Sequence, residues 1–230
     1  MSHSKIEILF EDNHLIAINK HSGELVQPDK TGSISLEETV KQYIKEKYNK
    51  SGNVYLGITH RIDRPVSGLV LMAKSAKALS RLNQMLQEHK ISKKYWAITS
   101  KKPDNDEGTL IHYIRRNEQK NISYAFNKEV NGSKKAELKY KVAGKSDRYY
   151  LIEIELITGR HHQIRAQLSE IGCSIKGDLK YGFNRSNPDG SISLHSREIS
   201  LIHPVTKREL KIIAPVPNDK LWLYFQNIIK

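Results

Sequence analysis

Apolar positions along the chain change period several times, and each change marks an element. "IEILFED" (6–12) and "HLIAINK" (14–20) are short apolar runs that meet at Asp12-Asn13, a turn pair, and so predict two strands. Across 35–52 the period lengthens. Val40, Ile44 and Lys47 share one stripe, Ser35 and Glu38 have capping-box spacing, and Gly52 follows, which predicts a helix. "GLVLMA" (68–73) is apolar without interruption, as in a strand covered on both faces. Leu79, Leu82 and Leu86 place a second helix within 75–90, and "KKYWAIT" (93–99) reads as a strand.

Residues 101–108 form a polar loop, after which four or five short strands are predicted, including "GTLIHYIRR" (108–116), "KAELKYKVAGK" (135–145) and "YYLIEIELI" (149–157). In the last, Ile152, Ile154 and Leu156 alternate with Glu153 and Glu155, one face buried and one wet. "TGRHHQIRAQLSEIG" (158–172) turns into a helix with Ile164, Leu168 and Ile171 inward and Gly172 at its end. A hairpin at 198–215 and a helix at 218–230 close the chain. The pattern is α+β: a mixed, largely antiparallel central sheet with flanking helices, in a single domain spanning 1–230.

Composition narrows the function classes. At 38% hydrophobic and 27% charged, the 230 residues are those of an ordinary globular protein, and no apolar stretch approaches a membrane span. "MSHSKIEILFED" reaches acidic residues too soon for a secretory leader, so a cytoplasmic protein is expected. Cys173 is the single cysteine, which excludes an internal disulfide and any multi-cysteine zinc site. His161-His162 invites a metal, but neighbours on a helix point about 100° apart, and no HExxH accompanies them; no metal is expected. Thirty-eight Lys and Arg against 25 Asp and Glu give +13 and a pI near 9.6. Such an excess attracts polyanions and points to a nucleic acid. A membrane partner is not expected, because no basic helix carries an aromatic face.

Three basic clusters sit at strand ends: "HRIDR" (60–64), "SKKYW" (92–96) and "TGRHHQIR" (158–165). Asp63 could simply balance Arg61 and Arg64 on the surface. Its place just before a buried strand argues instead for a partly buried carboxylate that needs a cation. Tyr95 and Trp96 alternate in direction, so one faces the core and the other could offer a ring to a base. Arg160 and Arg165 bracket a helix N-terminus, a ready anion site. Singly, each cluster could be solvated charge; together in a +13 chain they favour a nucleic-acid ligand. A non-catalytic RNA-binding domain or a metal-dependent nuclease would share this much.

Four stretches in order go further. "HRIDRPVSGLVLMAK" (60–74) resembles the signature of the RluA family of RNA pseudouridine synthases, whose motif aspartate is catalytic. "EDNHLIAINKHSGELV" (11–26), "KKYWAI" (93–98) and "TGRHHQIRAQLSEIGCSIKGDLKYG" (158–182) are similar to the family's N-terminal hairpin, tyrosine strand and C-terminal signature. The resemblance implies a pseudouridine synthase catalytic domain that needs no cofactor. It implies that Asp63 either attacks ribose C1′ or removes a ribose proton, and that Arg165 is the ion-pair partner keeping Asp63 charged. Tyr95 would stack on the flipped uracil, and Arg61 would enter the stack that uracil leaves. His60, Arg64, Lys93, Lys94, Arg160, His161 and His162 are expected RNA contacts. The chain departs from the family at Pro65-Val66, where Asp-Thr is usual, at His21, where Pro is usual, and at His161, where Thr is usual. It begins almost at the hairpin motif, so the S4 domain that many family members carry is not expected here. The expected partner is a stem-loop of rRNA or tRNA, bound by a monomer without an obligate protein partner.

Overall fold

The computed structural model describes residues 6–29 and 32–229. Residues 1–5 of the stretch read for a leader, and Lys230 at the end of the expected closing helix, lie outside them. In chain order the elements are β1 (Glu7–Glu11), β2 (Leu15–Lys20), α1 (Leu36–Lys47), β3 (Gly57–Ile58), β4 (Ser67–Ala73), α2 (Ala76–Gln87), β5 (Ile91–Thr99) and β6 (Glu107–Asn117). Then come β7 (Ile122–Phe126), β8 (Lys134–Lys145), β9 (Tyr150–Leu156), α3 (Gln163–Glu170), β10 (Leu194–Ile202), β11 (Glu209–Ile213) and α4 (Lys220–Ile228). The fold is α+β, as the period pattern predicts. The chain clusters into two compact units, Met1–Ser92 with Ser196–Pro215 and Lys93–His195 with Val216–Lys230, so it changes unit inside β5 and again inside β10.

In the first unit β2 pairs antiparallel with both β1 and β4, β3 adds to β4, and β11 pairs with β10. Every residue of β2 and β4 is buried, so the uninterrupted apolar run is a strand with two covered faces. One face packs Leu15, Ala17, Leu69 and Leu71 against Ala78 and Leu82 of α2 and Ile199 and Ile212 of β10 and β11. The capping box of α1 forms in both directions: Ser35 Oγ accepts from the Glu38 amide, and Glu38 accepts from the Ser35 amide. That helix ends at Lys47, five residues before Gly52, because Lys47 turns to Glu11 and Asn49 enters the left-handed region at φ 48°. Gly68, at φ +111°, is required: a Cβ there would lie 2.3 Å from the Ser196 carbonyl oxygen.

Glu11 ties three segments of this unit together. Lys47 (2.6 Å), Lys74 (2.8 Å), Tyr43 (2.9 Å) and Tyr48 (2.9 Å) all donate to its carboxylate. Burial pushes its pKa up, but these four bonds outweigh it and hold the pKa at about 2. The unfolded group titrates near 4.5, so between those values the unfolded chain binds more protons, and stability is lost as the pH falls from 4.5 towards 2. Wild type should therefore lose about 2–3 kcal/mol between pH 5 and pH 2 that Glu11→Gln does not lose. Urea unfolding of the two proteins across that window measures it; parallel pH profiles would contradict it.

In the second unit β5, β9, β8, β6 and β7 pair antiparallel in that order. β6 begins at Glu107, inside the stretch expected to be loop, and β7 is a strand that no apolar run announces. Trp96, Ile98, Leu151, Trp222 and Phe225 pack together where α4 covers one face, whereas Ile114, Ala125, Ala136, Ala166 and Tyr181 pack where α3 covers the other. Among the described residues no helix is long and apolar enough to cross a membrane.

Candidate active site

Asp63 stands on the loop between β3 and β4, which is fastened at several points within its own unit. The Leu71 amide donates to His60 Nε2 (3.1 Å), and Thr59 Oγ1 donates to the Leu71 carbonyl (2.6 Å). The Val66 amide closes a turn on the Asp63 carbonyl (3.0 Å). Arg64 Nε donates to the Gly23 carbonyl (2.9 Å) while the Gly23 amide donates to the Arg64 carbonyl (2.8 Å). His60 thus presents an acceptor inward and acts as a staple, and one edge of the Arg64 guanidinium is spent on the loop. Asp63 is half-buried and Arg61 exposed between these fixed points.

A lysine that the sequence reading passed over sits beneath this loop. Lys20 is fully buried at the end of β2, and its ammonium donates to the carbonyls of His21 (2.8 Å), Glu24 (3.0 Å) and Arg64 (3.2 Å). Burial pushes its pKa down to about 8, against the upward pull of the Glu24 and Asp63 carboxylates. A lysine inside the apolar run "LIAINK" was the available signal. Lys20→Met should leave the fold in place but release three carbonyls, and a loop displaced by an ångström costs on the order of 10–100-fold in rate. Turnover and the thermal midpoint measured together test this; an unchanged turnover would show that the clamp is not needed.

The second unit carries the other expected residues. Tyr95 and Trp96 are both buried, on opposite faces of β5, so neither ring is simply the surface one. Lys93 lies beside Gly159, and burial pushes its ammonium below the usual lysine range. Lys94 is 3.6 Å from Glu153. Arg160 is exposed, with its Nε donating to the Lys135 carbonyl (3.0 Å).

Arg165 is not at an open helix N-terminus. It is buried in α3, where Nε and Nη2 donate to the two oxygens of buried Asp178 at 2.7 and 2.9 Å, and its guanidinium carbon lies 4.9 Å from the Tyr181 ring centroid. Tyr181 is itself fixed: its hydroxyl accepts from the Ser123 amide (2.8 Å) and bonds to His162 Nδ1 (2.9 Å). His161 Nδ1 bonds to Ser123 Oγ (2.8 Å), and the two histidine rings stack with centroids 3.8 Å apart. They are not helix neighbours, because α3 starts at Gln163 and His162 has φ 53°. Among the described residues no three His, Cys, Asp or Glu side chains are grouped to hold a metal ion.

The profile of the RNA pseudouridylate synthase family matches residues 14–170, a stretch that includes the Lys20 clamp, the Asp63 loop and Arg165. The chain belongs to that family. It is 31% identical to a "Ribosomal large subunit pseudouridine synthase C" of Rickettsia prowazekii, over 91% of this chain and 68% of the relative. It is 30% identical to a "tRNA pseudouridine synthase C" of Salmonella typhi, over 95% of this chain and 87% of the relative. Among solved structures, human RNA Pseudouridylate Synthase Domain Containing 4 superposes with a TM-score of 0.76 at 22% identity, covering 97% of this chain and 92% of that one. As an RNA pseudouridine synthase the chain is an isomerase, and the mixed sheet with four helices is the fold of its family.

Proposed function

We propose that this synthase isomerises specific uridines in structured rRNA or tRNA with Asp63 as its catalytic carboxylate. One observation carries the assignment. The loop bearing Asp63 is held at His60, Arg64 and the three-carbonyl Lys20 clamp, so a single carboxylate is presented on a fixed backbone beside a buried cation. The reaction breaks the bond from uracil N1 to ribose C1′, turns the base, and joins C5 to C1′. A proton leaves C5 and N1 gains one, so atoms balance and no electron donor is consumed. Attack at C1′ and removal of a ribose proton both call for ionised Asp63. The family resemblance supports Tyr95 as the ring that stacks on the uracil, Arg165 as a source of positive charge, and exposed Arg61 as the side chain that fills the vacated stack. The relatives' names support rRNA or tRNA as the substrate, and the +13 charge supports a polyanion.

Flipping a base costs least where it is unpaired, and RNA is most readily read in loops and bulges. A stem-loop with the target uridine in its loop should therefore be modified by the monomer, and pairing that uridine in a continuous duplex should suppress modification. Mapping of pseudouridine in cellular RNA with and without the protein chooses the stem-loop, and rates on the two RNAs test the reading. Equal rates would contradict target selection by local structure. The same pseudouridine map with and without the protein would contradict the function itself.

A further inference from the structure

Directly opposed residues of an antiparallel pair share a face of the sheet, and the registers of β6, β7 and β8 bring an unusual set together. Tyr113 faces Phe126 on one side and Lys135 on the other, and Arg115 faces Tyr124. Ile114, Ala125 and Ala136 alternate with these and pack against Ala166 of α3 and against Tyr181. Tyr113, Arg115, Tyr124, Phe126 and Lys135 therefore point away from α3, from the side of the sheet opposite Arg165. Tyr124 is 41% exposed, and the Arg115 guanidinium sits 5.4 Å from the Phe126 ring centroid. Lys139 and Lys141 continue the same face along β8, where Glu155 and Glu153 of β9 oppose them, and Glu137 lies between them and Lys135. The net positive charge of the face is therefore at the Tyr124 end, with Arg115 and Lys135. From 107 to 145 the chain has nine Lys or Arg against four Glu. α4 lies against the far end of β8, at Gly144.

We propose that this outward face is a second RNA-binding surface, a stacking platform for unpaired nucleotides that flank the reacting stem-loop. Alternate residues of a strand stand about 7 Å apart, so Tyr124 and Phe126, with Tyr113 and Arg115 beside them, offer successive π-faces to an extended strand. Bases of any identity can stack there, and Arg115 and Lys135 stand beside the rings for the phosphates. A protein partner of the apolar kind is disfavoured, since covering the rings would strip water from the Arg115 guanidinium and the Lys135 ammonium that stand among them. The inference rests on the reading of RNA as substrate but uses no residue placed in the reaction or in RNA contact above.

The test separates the two. An unpaired oligouridine of twelve nucleotides, fluorescently labelled, is titrated against wild type, Tyr124→Ala, Tyr124→Phe and Arg115→Gln, and each protein is also assayed on the bare stem-loop. Loss of one stacked base should weaken oligouridine binding about fivefold to a hundredfold in Tyr124→Ala, with Tyr124→Phe retaining affinity. Turnover on the bare stem-loop should stay at the wild-type value in all three variants. Ultraviolet crosslinking of the oligouridine should mark the peptide holding Tyr124 and Phe126. Oligouridine affinity unchanged in both Tyr124→Ala and Arg115→Gln, with wild type active on the stem-loop, would overturn the platform and leave the enzymatic reading standing. An inactive wild type that still binds oligouridine through Tyr124 would do the reverse.

Discussion

Replacing Asp178 by alanine is expected to destabilise the protein by about 3–5 kcal/mol, the usual consequence of removing one partner of a buried ion pair. Both oxygens of Asp178 are used by Arg165, and both residues are almost wholly enclosed, at 1% and 4% exposure. Without the carboxylate the guanidinium keeps its desolvation cost and loses its two-pronged acceptor. For a chain of this size each kcal/mol moves the thermal midpoint by about 2–4 °C, so a fall on the order of 6–20 °C is expected. Asp178→Asn keeps the shape and one acceptor, and should fall between alanine and wild type. At a temperature where the Asn variant is folded, its pseudouridine formation should still drop, because Arg165 loses the charge that fixes its orientation. A midpoint within 2 °C of wild type for Asp178→Ala, which is below about 1 kcal/mol, would show that Tyr181 and the rest of the surroundings hold Arg165 unaided.

That arrangement was not legible in the sequence, and the reason is physical. "RHHQIRAQL" reads as a polar first turn, yet every residue from Gln163 to Leu168 is buried. What makes such burial tolerable is supplied from elsewhere in the chain. Gln163 Nε2 donates to the Glu137 carbonyl, Gln167 Nε2 to that of Leu110, and Arg165 to Asp178. Periodicity measures hydrophobicity along one segment and is blind to partners that lie across a sheet. The same limit hid Tyr181 and Ser123, and it hid β7, whose short run "ISYAF" alternates buried and exposed residues.

Elements whose physics is local were readable. The Ser35–Glu38 capping box needs residues three apart, and both of its bonds form. The run "GLVLMA" needs two covered faces, and every residue of β4 is buried. Helix ends were less legible: α1 stops where Lys47 meets Glu11, a contact set by β1. The ordered motifs pointed to Asp63, Tyr95 and Arg165 but gave no hint of what holds each in place. Lys20 was legible in principle, as a charge inside an apolar strand, and the three carbonyls that receive it explain why it can stay there.

The central claim is that a single ionised carboxylate, on a loop fixed before substrate arrives, does the chemistry. Asp63→Asn preserves the volume of the side chain and removes its charge, and the loop is held through His60, Arg64, Thr59, Val66, Gly23 and Lys20. The variant should therefore fold, should bind the stem-loop as wild type does, and should lose its turnover by at least about 10²–10⁴-fold, the range expected when an essential acid–base or nucleophilic group is removed. The measurement is single-turnover pseudouridine formation by Asp63→Asn at saturating enzyme on a stem-loop that wild type modifies. No product over the time in which wild type finishes is the result predicted here. Turnover within about tenfold of wild type would contradict it and would move the chemistry to another residue.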